Sequence, residues 1–290
     1  MQSIVASSHP PLVTAMWLSI HLGDADLVVL DTSWYLPDAG RDPEAEYRRA
    51  HIPGAVRFDL DAASDPDSSL PHMAPTPEHF AALCERLGIG RDDVVICYDA
   101  SGVNLTAARA WWLFRLFGHR RVAVLDGGFA EWARQTRPIQ VGTTRRMPTG
   151  YRVPQRDPAL VRDLAAIERI IAGTESAQLV DCRSAARFAG DAPEPRPGLA
   201  RGHLAGSANI PFTGFTDPDT HRFRTPEAVV ALLRAQGLDP ARQIVASCGS
   251  GVSACVLALA VEVVRESGVA PVGPPVAIYD GSWAEWGARG

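Results

Sequence analysis

Cys248 sits in the stretch Ser-Cys-Gly-Ser-Gly-Val-Ser-Ala (247–254), one thiol followed by small residues and then a long apolar segment. A thiolate is a strong nucleophile, so this loop could carry covalent catalysis. Gly249 and Gly251 would let the backbone turn tightly and direct its N–H groups inward. A helix starting just after them would add its positive end, and both effects lower a thiol's pKa. The alternative is an inert buried cysteine beside a glycine turn, since free cysteine is among the most buried residue types.

What positions the thiol is legible around it. Gln-Ile-Val-Ala-Ser (243–247) reads as a buried strand and Val-Ser-Ala-Cys-Val-Leu-Ala-Leu-Ala-Val-Glu-Val-Val-Arg-Glu (252–266) as the following helix. Cys248 therefore falls at the carboxyl end of a strand, where open α/β sheets bind their ligands.

The same unit is written twice. Leu27–Trp34 matches Ala177–Ser184, Arg49–Leu60 matches Arg201–Phe212, Asp93–Val103 matches Gln243–Val252, and Leu125–Trp132 matches Tyr279–Trp286. The offsets are 181−31 = 150, 203−51 = 152, 248−99 = 149 and 280−126 = 154. Four blocks in one order at a nearly constant offset indicate a duplicated domain. In each copy, short branched-residue runs alternate with helical patterns, which predicts an α/β fold with a small, mainly parallel sheet flanked by helices. Thr225 and Pro226 predict a helix N-cap and first turn. The Pro-, Gly-, Thr- and Arg-rich segment 138–158 reads as a linker between domains at 1–137 and 159–290. The first copy carries Asp99 where the second carries Cys248. One loop is built around a nucleophile and the other is not.

Composition narrows the chemistry. With 290 residues and 46% hydrophobic content the chain can bury sizeable cores. A net charge of −5 suggests neither nucleic acid nor an anionic membrane as a partner. All 28 basic residues are arginine, so there is no lysine for a pyridoxal Schiff base or a Walker A loop. The five cysteines are odd in number and widely spaced without a CxxC pair, which argues against a disulfide framework and a structural zinc site. Residues 1–20 lack a basic n-region and a long apolar run, and no segment approaches the length of a membrane span. A cytoplasmic setting with reduced thiols is the expectation.

The blocks His-Ile-Pro-Gly-Ala (51–55), Leu-Asp-Gly-Gly-Phe-Ala-Glu-Trp (125–132), Cys-Gly-Ser-Gly-Val-Ser-Ala (248–254) and Tyr-Asp-Gly-Ser-Trp-Ala-Glu-Trp-Gly (279–287) resemble tandem-domain rhodaneses over nearly the whole chain. Within that family they resemble the 3-mercaptopyruvate sulfurtransferase branch. The resemblance implies two rhodanese-like domains, the first catalytically silent, and a persulfide-forming Cys248 in the second. Thiosulfate-using members resemble Cys-Arg-Lys-Gly-Val-Thr, with cations in the loop. Mercaptopyruvate-using members resemble Cys-Gly-Ser-Gly-Val-Thr, matched here except that Ser253 stands for the threonine and keeps its hydroxyl.

The resemblance also implies site residues. Arg187 and Arg196, in Ala-Arg-Phe-Ala-Gly-Asp-Ala-Pro-Glu-Pro-Arg-Pro-Gly (186–198), would hold the donor carboxylate, a role suited to the guanidinium fork. Gly249, Gly251, Val252 and Ser253 would line the loop and contact the bound sulfur. Asp61 and His72, eleven residues apart, would complete a triad with Ser250, with His72 relaying a proton and Asp61 fixing its tautomer. On residue type alone, Asp61 and His72 fit equally a capping aspartate and a surface histidine of a polar loop. No metal or organic cofactor is implied. The partners implied are a small-molecule sulfur donor and an acceptor that is cyanide or a thiol, such as thioredoxin or a small thiol.

Other activities stay open on the residues. They are a thiosulfate sulfurtransferase, a non-catalytic sulfur carrier or binding module, and a cysteine phosphatase. The last needs an arginine closing the loop, where Ala254 and Cys255 stand. Arg183 is a weaker candidate that could pair with Asp181 or brace the loop. The tryptophans are expected to pack helices or the domain interface. Asp126 and Asp280 read as strand-end turns, His51 and His203 as shared structural residues, and Cys255 as core. Cys182, near a strand end, could have a redox role.

Overall fold

The computed structural model describes residues 9–153 and 155–289. Residues 1–8 of the amino-terminal stretch, Pro154 of the expected linker, and Gly290 lie outside them. The chain forms two compact units, residues 1–63 with 76–156, and residues 64–75 with 157–290.

The first unit runs β1 (Leu12–Val13), α1 (Ala15–His21), β2 (Leu27–Asp31), α2 (Pro43–Arg49), β3 (Val56–Arg57), α3 (Pro77–Arg86), β4 (Val94–Tyr98), α4 (Leu105–Leu116), β5 (Val122–Leu125) and α5 (Gly128–Arg134). The second repeats it as β6 (Val161–Arg162), α6 (Leu164–Ile171), β7 (Gln178–Asp181), α7 (Ala185–Ala189), β8 (Ala208–Asn209), α8 (Pro226–Ala235), β9 (Ile244–Ser247), α9 (Ala254–Ser267), β10 (Ala277–Tyr279) and α10 (Ser282–Trp286). The strand orders, β1-β5-β4-β2-β3 and β6-β10-β9-β7-β8, are the same path drawn twice, and the pairings within each sheet are parallel.

Central strands covered on both faces must be largely apolar, and every residue of β2, β4, β5 and β9 is buried, with Asp31 and Ser247 the charged or hydroxylated residues at the ends of β2 and β9. Val29, Ile96, Ala123 and Trp132 share one core, and Ile167, Leu179, Val245 and Tyr279 share the other. Each large aliphatic side chain so buried contributes about 1.5–3 kcal/mol. Helix starts follow local chemistry. Thr76, Asp163 and Thr225 accept from the amides of His79, Ala166 and Ala228, and Pro77 and Pro226 occupy the first helical position.

Two segments differ from the sequence expectation. Much of the stretch that reads as a linker is fixed to the first unit. Gln140 bridges His51, Gly142 N–H donates to Arg48, Thr144 N–H donates to the Tyr47 hydroxyl, and Tyr151 is buried beside His119. Apart from the paired bonds of the isolated Gln140–His51 bridge, these are scattered contacts from irregular chain, so no periodicity announces them. Residues 64–75, inside the span expected for the first domain, pack in the second unit, where Ala74 N–H donates to the Asp280 carboxylate at 2.6 Å. Asp280 is therefore more than a strand-end turn residue: its carboxylate anchors the segment that carries His72.

The described residues contain no helix long and apolar enough to cross a membrane.

Candidate active site

Cys248 stands at the carboxyl end of β9, directly after Ser247, as expected, and the residue is nearly enclosed, at 2% exposure. The loop after it is held from below by α10. Ser282 Oγ accepts from Cys248 N–H at 3.1 Å and from Gly251 N–H at 3.0 Å, and donates to the Tyr279 carbonyl at 2.7 Å. Trp283 and Ala284 N–H donate to the carbonyls of Cys248 and Gly249. Gly251, at φ +73°, takes the left-handed turn that its type permits. Its N–H is occupied by Ser282, so Gly251 shapes the turn instead of offering its amide to a bound sulfur. By contrast, the amides of Gly249, Ser250, Val252 and Ser253 donate to no group among the described residues. Four donors at the start of a helix form a nest suited to an anion.

Ser250 Oγ and His72 Nδ1 lie 3.0 Å apart, and both residues are buried. His72 is in the left-handed region, φ +58°, and the two residues after it are anchored: the Met73 carbonyl accepts from Asp65 N–H and Ala74 N–H donates to Asp280. Asp61 is exposed in the first unit, where its carboxylate accepts from Trp34 Nε1 at 3.0 Å.

Ser184 caps α7 by accepting from Arg187 N–H. The Arg187 guanidinium then reaches the cysteine loop: a Cβ added to Gly249 would stand 3.0 Å from Nη2. Arg187 Nε and Nη2 donate to Glu194, whose other partner is Arg183 at 2.7 Å. Arg183 is fully enclosed. It donates to Asp181 through Nε and Nη2 and to the Gly202 carbonyl, and it lies 4.2 Å over the Trp283 ring. It thus pairs with Asp181, the first of its two expected roles. Arg196 is half-buried two residues beyond Glu194.

The remaining thiols take bland positions. Cys255 donates to the Gly251 carbonyl within the first turn of α9. Cys182 is wholly buried at the end of β7, and burial pushes its pKa far up, so it stays a neutral thiol. That removes the thiolate character on which a redox role depends.

The first unit shows what the same loop becomes without a thiol. Asp99 turns its carboxylate into the loop and accepts from Ser101 N–H and Oγ, from Thr106 N–H and Oγ1, and from Ala107 N–H. The chain's own carboxylate fills the anion position at the start of α4. At the corresponding positions of the second unit, Cys255 and Val256 N–H turn back to the carbonyls of Val252 and Ser253.

The Rhodanese-like domain family matches residues 14–135 and 164–289. The chain belongs to the rhodanese family. It is 42% identical over 283 residues to the 3-mercaptopyruvate sulfurtransferase of Homo sapiens, covering 96% of this chain and 92% of that protein. It is 38% identical over 283 residues to the thiosulfate sulfurtransferase of Cricetulus griseus, covering 95% and 91%. Among solved structures it superposes on SseA from Escherichia coli, described as a 3-mercaptopyruvate sulfotransferase. The TM-score is 0.83 at 34% identity, covering 95% of this chain and 99% of that one.

Two residues of this rhodanese site escape motif reasoning. Glu194 sits in Pro-Glu-Pro-Arg, which reads as an exposed loop. Ser282 replaces Gly128 of the first copy at a left-handed position, φ +49° against +56°. A non-glycine at that backbone conformation is uncommon, and aligning the copies could have singled it out.

Proposed function

We propose that this rhodanese is a sulfurtransferase that takes sulfur from 3-mercaptopyruvate onto Cys248 and passes it to a thiol or cyanide. The observation that carries the reading is the contrast between the two loops. Asp99 fills one with an internal carboxylate, while the other presents Cys248 with four uncommitted amides.

The donor carboxylate binds the edge of Arg187 that Glu194 leaves open, with Arg196 as the second arginine of the segment. The Cys248 thiolate attacks the donor's sulfur. An S–S bond forms, the C–S bond breaks, and its electron pair goes to carbon as pyruvate enolate. The enolate takes a proton at carbon through Ser250 and His72. The loop amides of Gly249, Ser250, Val252 and Ser253 stabilise the persulfide. Attack of the acceptor on the outer sulfur then restores the Cys248 thiolate.

A second donor, thiosulfate, is favoured by the likeness to the Cricetulus griseus thiosulfate sulfurtransferase. The loop's lack of cations favours mercaptopyruvate. Purified chain supplied with each donor and cyanide decides by the ratio of kcat/KM. The proposal requires mercaptopyruvate to be preferred, and preference for thiosulfate would overturn it.

A further inference from the structure

The Arg187 guanidinium that faces the loop is not an open charge. Glu194 grips it side-on through Nε and Nη2, leaving three N–H groups on its outer edge, two on Nη1 and one on Nη2. The Glu194 side chain is only 2% exposed, and its position is imposed by Arg183, itself tied to Asp181. Formally the cluster holds two carboxylates and two guanidiniums and sums to zero. An incoming donor therefore meets good hydrogen-bonding geometry at this cluster, and the net positive charge of the donor site is left to Arg196.

We propose that Glu194 is a positioning residue that sets the charge class of the donor, admitting monoanions and disfavouring dianions. The inference rests on the reading of the site given under Proposed function. A donor anion on the outer edge of Arg187 lies one guanidinium away from the Glu194 carboxylate. Coulomb repulsion scales with charge, so a dianion such as thiosulfate feels Glu194 twice as strongly as the single carboxylate of mercaptopyruvate. The loop offers no lysine or arginine of its own to offset that repulsion, since residues 249–253 are Gly-Ser-Gly-Val-Ser. The eleven extra residues that carry Glu194 are peculiar to the second unit. The ring pair that frames them, Tyr47 with His51 in the first unit and Phe188 with His203 in the second, is four residues apart in one and fifteen in the other.

The test compares donor ratios in the full chain. Loss of positioning weakens both donors alike, whereas loss of charge favours the dianion, so kcat/KM for thiosulfate over that for mercaptopyruvate isolates the electrostatic effect. Glu194→Gln keeps an acceptor for Arg187 and removes the charge; the ratio should rise on the order of tenfold. Glu194→Asp keeps the charge and shortens the reach; it should lower both values while holding the ratio within about twofold of wild type. An unchanged ratio in Glu194→Gln, or an equal shift in Glu194→Asp, overturns the inference. Should Glu194→Gln fail to fold, the Glu194→Asp ratio still decides, because any comparable rise there contradicts a role for charge. Wild type that takes no sulfur from mercaptopyruvate overturns the donor assignment and this inference together. A working wild type with a flat ratio overturns this inference alone.

Discussion

The Ser282 hydroxyl stands 3.1 Å from the Cys248 amide nitrogen and 3.0 Å from that of Gly251, and so ties both ends of the tightest part of the loop to one oxygen. Both amides are buried, and leaving such a donor unsatisfied costs about 1–3 kcal/mol. The loop, with Cys248 at its start, is thus held in shape by the protein itself.

Ser282→Ala should therefore destabilise the protein and lower kcat/KM for sulfur transfer about tenfold or more, because an unpinned loop no longer presents the thiol and amides together. Ser282→Gly should recover stability by relieving the left-handed backbone, but not activity. Thermal unfolding and steady-state kinetics of the two variants check this. Full activity in Ser282→Ala would show that the hydroxyl is dispensable.

The 3.0 Å separation of Ser250 Oγ and His72 Nδ1 leads to a donor-specific prediction. Transfer from mercaptopyruvate leaves a carbanion that needs a proton, whereas transfer from thiosulfate leaves sulfite, which needs none. Ser250→Ala should cut kcat with mercaptopyruvate about 100-fold, within the usual range for a lost general acid. Its effect on single-turnover loading from thiosulfate should be about twofold or less. Equal losses with both donors would assign the pair a purely structural role.

Asp99 should matter for folding and not for chemistry. Its five hydrogen bonds to Ser101, Thr106 and Ala107 hold the first unit's loop closed. Asp99→Ala strands those donors and should destabilise the protein by about 3 kcal/mol, while kcat/KM below the unfolding transition stays within about twofold. Denaturant titration and an activity assay on one preparation measure both. A large fall in kcat/KM without loss of stability would contradict the division of labour between the loops.

Much of this architecture is legible in the residues, for identifiable reasons. Strand ends, Thr-Pro caps and the Cys-Gly-Ser-Gly loop are signalled by neighbours in sequence, and the duplication doubles each signal. The Asp99 and Cys248 contrast emerges from aligning the copies. What stayed hidden depends on contacts between distant residues. Nothing near Glu194 indicates that Arg183, eleven residues back, buries its carboxylate. Asp280 looks like a turn residue until Ala74, more than two hundred residues earlier, is found donating to it. The segment from Gln140 to Tyr151 looks like a linker because its hydrogen bonds reach His51, Tyr47 and His119 one at a time. Compensating loops also mask the insertion at Glu194: the first copy is longer before α2 and the second after α7, so the overall offset stays near 150.

The central claim, that Cys248 carries the transferred sulfur, is tested most directly by intact-protein and peptide mass spectrometry after brief exposure to mercaptopyruvate without acceptor. The account predicts one added sulfur atom on the peptide containing Cys248, pyruvate released in equal amount, and neither product in Cys248→Ala. Sulfur on another cysteine, or undiminished pyruvate release by Cys248→Ala, would contradict it.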